Sequence, residues 1–312
     1  MEMPSEDDAK ATSHDWSIAD YEAALKSSGY LLEGRVEEIL NSDGYEVVAG
    51  RRVPDAATGV PREMDLLARK HETVSVEGRR ERPPISTTLV LECINNRHPL
   101  VFFERPVAAV ESNRILRLFG VPLVVRDPSS KSGYFRLEDE AQVSWNCTLK
   151  RWAAQYCTFE ERNGKPARLK ATQLPDHHGT FEKLIGECNR YATSVMQPEW
   201  IRGGFVGGGL SLICPVVVLQ GRLLAVDGSD GEAETRPTTH IHYLRRALID
   251  GRSLAWVIDV ITEAGLPEYL KGVEMVREKV AAYCMANRER VQEALASESS
   301  RETSLLLPRG GY

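Results

Sequence analysis

A mixed α/β (α+β) fold is what this chain predicts, and three observations predict it. Leu32, Val36, Ile39 and Leu40 recur at helical spacing. Three apolar, strand-like runs follow at residues 45–53, 63–69 and 86–95. Near the end, Tyr269, Val273, Val276, Val280 and Tyr283 or Cys284 line one stripe of a long helix that starts around Pro267.

The elements follow in chain order. The pattern is helical from Trp16 to Leu40, with Ser17 or Asp20 as N-cap, and Gly44 ends it. Tyr45 to Val53 alternates as a strand does. Pro54, Asp55, Gly59 and Pro61 make a turn-rich link to a second strand, Glu63 to Arg69, and Ser86 to Asn95 is a third with the buried run Leu89-Val90-Leu91. The polar insert from His71 to Pro84 reads as an exposed hairpin loop. Pro106 to Phe119 then reads as a helix stopped by Gly120, and Val121 to Val125 as a short buried strand. That order suggests a right-handed crossover onto a parallel neighbour.

The second half predicts a hairpin around Asn163-Gly164, a helix from Thr180 to Met196, and a hairpin joining Ser211–Leu219 to Arg222–Asp227. Strands at His240–Leu248 and Leu254–Thr262 precede the long helix. The expected organisation is a disordered 1–14, a core at 15–130, an αβ extension at 131–297 packed on it, and a disordered tail at 298–312.

Composition narrows the function classes. In 312 residues, 42% are hydrophobic and 27% charged, as in ordinary globular chains, and the net charge of -6 excludes a surface that is basic all over. A local basic groove is still compatible, because phosphates respond to local field. Residues 1–14 are acidic and polar, unlike a signal peptide. The longest apolar stretch, Leu210 to Val226, is broken by Pro215 and Gln220-Gly221-Arg222, so no membrane association is expected. Six scattered cysteines without a C-x-x-C pair read as free thiols, which fits a cytoplasmic location.

Three carboxylates carry the chemistry. Glu33 lies in the first helical stretch, Asp65 opens the run Leu66-Leu67-Ala68, and Glu92 follows Leu89-Val90-Leu91 on the next strand. Adjacent strands can bring Asp65 and Glu92 to one hard cation, and Mg²⁺ prefers a few carboxylates plus water.

At these residues the chain resembles the PD-(D/E)XK, restriction-endonuclease-like nuclease superfamily, over residues 29–127. The resemblance rests on Leu32-Glu33-Gly34-Arg35-Val36, Ile39-Leu40, Gly44-Tyr45, Glu63-Met64-Asp65-Leu66-Leu67 and Leu91-Glu92-Cys93-Ile94-Asn95-Asn96. It implies a restriction-endonuclease-like αβββαβ core with a C-terminal β-rich extension and long terminal helix. It also implies Mg²⁺-dependent phosphodiester hydrolysis of DNA, with Asp65 and Glu92 as metal ligands and Glu33 orienting water or the metal shell. RNA in place of DNA, and a homodimer, stay open.

The departure is Ile94, which stands where the family keeps a lysine. Residues 92 and 94 share one strand face, so a lysine there would aim its ammonium at the reacting phosphate, and isoleucine offers only methyls. Arg35, Arg69, Lys70 and Arg97 do not replace it convincingly. The sequence thus carries two readings: a metal-dependent endonuclease-like enzyme, impaired or modified, and a non-catalytic nucleic-acid-binding or protein-interaction scaffold with a degenerate site. Arg51, Arg52, Arg62, Arg69 and Arg97 are candidates for a phosphate-contacting rim.

Other features weigh less. The glycine run 203–209 lacks the Gly-Lys-Ser/Thr and following helix of a phosphate loop. His177-His178 reads as loop. His240 and His242 point the same way on a strand, but with no third ligand nearby they read as a structural or surface pair. Asp259, inside an apolar run, needs partners, and Arg245 or Arg246 is the expected source.

Overall fold

The computed structural model describes residues 16–28, 30–54, 59–71, 74–76, 79–81, 85–96, 98–106, 118–119, 124–126, 134–136, 151–162, 168–173, 175–195, 210–227, 234–249, 252–287 and 289. The two predicted disordered ends, the glycine run 203–209, Cys147 and Arg97 lie outside these residues, as does most of the helix expected at 106–119.

The first helical region is two helices. Ser17 caps α1 (Ile18–Ser27) in a reciprocal box: its hydroxyl accepts from the Asp20 N–H, and the Asp20 carboxylate accepts from the Ser17 N–H at 2.9 Å. Ser28 turns extended, and the helical pattern resumes as α2 (Tyr30–Ser42). The buried stripe of α2 is Leu32, Val36 and Leu40. Gly44, at φ 84°, reverses the chain into β1 (Glu46–Pro54).

β2 (Pro61–His71) pairs antiparallel with β1 and with β5 (Ile85–Asn95). Between them the expected polar insert forms a small hairpin, β3 (Val74–Val76) with β4 (Arg79–Glu81).

The predicted crossover is corrected. Pro106 ends a strand, β6 (Leu100–Pro106), and Leu118–Phe119 is a two-residue strand, β7, rather than the end of a helix. β8 (Val124–Arg126) pairs with β9 (Tyr134–Arg136) in a separate two-stranded sheet. The parallel neighbour of β5 is β12 (Leu210–Gln220), held in register over eleven residue pairs and reached through α3 (Pro175–Val195). The reason is packing. An interior parallel strand is buried on both faces and reads as a continuous apolar run. Residues 211–219 are all buried, whereas the five-residue run at 121–125 contains Pro122 and is too short for that register.

β10 (Arg151–Arg162) and β11 (Arg168–Thr172) form the expected hairpin. The one expected between 211–219 and 222–227 does not form: β13 (Leu223–Asp227) pairs parallel with β6 and antiparallel with β14 (Glu234–Thr238). Gly221 explains the departure. At φ 142° it passes so close to the end of β5 that a Cβ would sit 2.9 Å from the Asn96 carbonyl oxygen. β15 (His240–Ile249) and β16 (Arg252–Thr262) pair antiparallel, a 3-10 turn follows, and α4 (Leu266–Ala286) closes the described fold.

The result is one mixed sheet of twelve strands among the described residues. Its path runs β1-β2-β5-β12-β16-β15-β10-β6-β13-β14, with β11 beside β10 and β7 beside β12. Leu66, Leu91, Val216, Val218 and Ile261 pack on one face with residues of α2 and α4, including Val36, Val273 and Val280. Leu67, Val90, Ile213, Val217 and Ile258 pack on the other with Phe181, Leu184, Ile185 and Cys188 of α3. No helix among the described residues is long and apolar enough to cross a membrane.

Candidate active site

The site opens where β2 leaves its neighbours. Leu66↔Leu91 is the last β2–β5 pair in that direction, and the same register would put Asp65 opposite Glu92. Their side chains occupy the fork instead. The Asp65 carboxylate accepts from the Cys93 N–H at 2.7 Å, and Glu92 Oε1 takes a long, 3.4 Å contact from the Asp65 N–H. On the other side Asp65 falls in register with Gly50, whose φ of 61° lies in the left-handed region. A Cβ there would stand 3.2 Å from the Glu63 carboxylate, and the β1–β2 pairing skips this position between Ala49↔Leu66 and Arg51↔Met64.

The cation absent at position 94 arrives from α3. Lys183 Nζ lies 2.6 Å from Glu92 Oε2 and donates to the Glu63 carbonyl at 2.6 Å. Its side chain is 13% exposed and that of Glu92 5%, so the pair is largely withdrawn from water. The helix explains the reach. Phe181, Leu184, Ile185, Cys188 and Ala192 are its buried stripe, and Lys183, Glu187 and Tyr191 follow one another four residues apart along one flank. From that flank the four-carbon stem extends over the sheet and carries the ammonium to the acids. Ile94 shares the Glu92 face as expected, but it is buried in the apolar cluster beneath α3 and lies beside Leu219 of β12.

The electrostatics are those of too many carboxylates for one ammonium. Burial pushes the Glu92 carboxyl up to about 8, with Asp65 adding to the rise and Lys183 opposing it. Asp65 is raised mainly by burial, against the Cys93 N–H and Lys183. Glu33, half-buried on α2, is raised by burial and by the charges of Asp65 and Glu63, again against Lys183. Asp65 therefore acts electrostatically on both Glu33 and Glu92, and Lys183 acts on all three acids. Sequence reasoning missed Lys183.

The arginines divide. Arg69 lies over the Tyr191 ring, 5.0 Å from its centroid, with Arg51 at 5.6 Å on the same ring, and Arg51 also donates to the Tyr191 hydroxyl. Arg62 lies on exposed β2 backbone, its guanidinium 3.5 Å from where a side chain on Gly179 of α3 would begin. Arg51, Arg62 and Arg69 thus flank the same helix edge as Lys183. Arg35 is spent elsewhere, in a two-point ion pair with Glu263 at 2.5 and 2.9 Å.

Three expectations in the second half are corrected. His177 and His178 are helical, within α3. Arg245 does not serve Asp259: it binds Glu182 and His178 across the other face. The partners of Asp259 include His240, His242 and Tyr269, so the histidine pair does have a third possible ligand beside it. Among the described residues, this trio alone has three such donor atoms within 4.8 Å of one another, a compactness the Glu33, Asp65 and Glu92 group does not share.

Compared with known proteins, the chain matches no family model, no curated protein and no solved structure.

Proposed function

We propose that the protein is a divalent-metal-dependent nuclease of the PD-(D/E)XK type acting on DNA, with its lysine supplied by α3 instead of β5. The observation that carries this reading is the Lys183 ammonium on Glu92, on the sheet face where a lysine at 94 would stand. Topology supports it. α2, β1, β2, β5, α3 and β12 occur in αβββαβ order, the strands adjoin as β1-β2-β5-β12, and the two helices cover opposite faces. In this reading residues 96–174, with β6 to β11, are an insertion in that core.

The donor set fits a hard cation. Asp65 and Glu92 offer only oxygen, and burial raises both carboxyls against the pull of Lys183, so a cation would stabilise their charged forms. Asp65 and Glu92 would hold Mg²⁺, with Glu33 facing its hydration shell. When bound, that ion would polarise a phosphoryl oxygen and ease deprotonation of an attacking water. Lys183, fixed by Glu92 and the Glu63 carbonyl, stabilises anionic charge that develops on the phosphoryl group. Glu33, its carboxyl raised by burial and by the charges of Asp65 and Glu63, would exchange a proton with that hydration shell. Arg51, Arg62 and Arg69 provide phosphate contacts beside the cut.

The test is nicking of supercoiled plasmid by the full chain with and without Mg²⁺, alongside Asp65→Asn. Metal-dependent nicking that disappears in the variant is expected. Salt-sensitive DNA retention with no cleavage under Mg²⁺ or Mn²⁺ would sink the enzymatic reading and leave a binding protein.

A further inference from the structure

His240, His242 and Asp259 sit on the opposite face of the sheet from Glu92. Across β12, Leu91, Val216 and Asp259 are in register and face α4, while Glu92, Val217 and Val260, one residue on, face α3. His242 is paired directly with Asp259 between β15 and β16, and His240 reaches the same carboxylate diagonally from two residues away.

We propose that this trio is a binding site for a divalent transition metal of the zinc class, separate from the acidic site. Three observations carry it. First, the donor atoms converge: His240 Nε2 lies 3.1 Å and His242 Nδ1 2.8 Å from the same oxygen, Asp259 Oδ1. Tetrahedral ligands around an ion at 2.0–2.1 Å stand about 3.3 Å apart, so small side-chain movements admit one. Second, the ligating groups are braced. The Tyr269 hydroxyl donates to Asp259 Oδ2 at 2.9 Å, leaving Oδ1 for the histidines, and its ring packs edge-on against His240. Such outer partners fix the orientation of ligating carboxylates. Third, access is graded. Asp259 is fully buried, whereas the histidine side chains are 32% and 26% exposed, so an ion can enter from solvent on the imidazole side and keep a water.

Two imidazoles and one carboxylate select against Mg²⁺ and Ca²⁺, which take oxygen, and suit Zn²⁺, Co²⁺ or Ni²⁺. The ion would tie β15, β16 and, through Tyr269, α4 into one unit. Metal-free, the same nitrogens serve as N–H donors to the carboxylate. Binding therefore exchanges two hydrogen bonds for two coordinate bonds, with each neutral ring shifting its proton to its other nitrogen.

The test uses the full chain, stripped with EDTA and titrated with Co²⁺ while its visible absorption is followed, then competed with Zn²⁺. One equivalent with a nitrogen- and oxygen-ligated spectrum is expected, displaced by Zn²⁺ and unaffected by excess Mg²⁺. Asp259→Asn and His242→Gln should weaken Zn²⁺ binding about 100-fold or more, and Tyr269→Phe about 10-fold. His240→Gln, at a half-exposed ring, guards against a variant that merely fails to fold and should also lose the Co²⁺ spectrum with its circular dichroism intact. Asp65→Asn should keep full Co²⁺ binding even if it abolishes nuclease activity, which separates this site from the proposed function. No Co²⁺ spectrum, binding unchanged in His240→Gln, or binding lost only in Asp65→Asn would each overturn the proposal and leave a hydrogen-bonded brace.

Discussion

Lys183→Met is the perturbation that bears most directly on the proposed chemistry. Methionine keeps much of the stem that packs along α3 and removes the ammonium that sits 2.6 Å from both Glu92 Oε2 and the Glu63 carbonyl. Losing one preorganised charge-stabilising donor typically costs about 10²- to 10³-fold in rate, or about 3–4 kcal/mol of transition-state stabilisation. Folding should suffer far less. Breaking a buried ion pair costs about 3–5 kcal/mol when the remaining charge is stranded. Glu92 is not stranded: its carboxyl already titrates at about 8 with Lys183 pulling it down. Without the lysine it rises further and is neutral at pH 7. A loss of about 1–2 kcal/mol is therefore expected, read by urea unfolding.

The rate is read in single-turnover cleavage of a labelled duplex at saturating Mg²⁺. The decisive companion is Lys183→Met combined with Ile94→Lys, which returns a cation to the Glu92 face from the strand. A recovery of about ten-fold or more over the single variant is expected. Ile94→Lys alone should gain nothing, since it puts a second ammonium into the apolar cluster beneath α3. Undiminished cleavage by Lys183→Met, beside an inactive Asp65→Asn, would refute the assignment of the lysine.

Three further outcomes follow from the same site. The metal-free protein should lose stability as pH rises from about 4.5 towards 8, by at most about 1.4 kcal/mol per unit from Glu92, and level off above 8. The sign follows from proton counting: the folded chain keeps the Glu92 proton in a range where the unfolded chain has lost it, so raising pH favours unfolding. Urea titrations across that range should show the slope, and Glu92→Gln should flatten it, leaving what the raised Asp65 and Glu33 carboxyls contribute. Arg62→Ala and Arg69→Ala should each weaken binding of a DNA duplex, measured with Ca²⁺ in place of Mg²⁺, and reduce the salt-dependence slope by about one; an unchanged slope removes that arginine from the interface. Gly50→Ala should cost about 1–2 kcal/mol in thermal unfolding, because φ 61° and the nearby Glu63 carboxylate both resist a Cβ; wild-type stability would show that the backbone can relax there.

What was legible in the sequence followed how far apart the interacting residues lie. α2, β1, β2 and β5 form a continuous stretch joined by short links, so helical spacing, Gly44 and the alternating runs were enough to order them and to put Asp65 beside Glu92. In the proposed reading the other half of the core, α3 and β12, lies beyond residues 96–174. The run at 121–125 is apolar in character, but β12 is longer and is buried throughout 211–219. Lys183 was hidden for the same reason. Its helix was legible, yet nothing local says which strands that helix will cover, and a lysine on the flank of an apolar stripe ordinarily reaches for solvent. Asp259 shows a different failure, one of parity. In the β15–β16 register it lies opposite His242, so residues an even number of positions from 242 share its face and Arg245 does not. With that register, alternation excludes Arg245 and leaves His240 and Arg246 on the Asp259 face, so a buried acid in want of partners and a histidine pair in want of a third ligand belong to one cluster. Glu92 and the histidine site thus lie on opposite faces of one sheet, and strand parity is what keeps Glu92 and Asp259 apart.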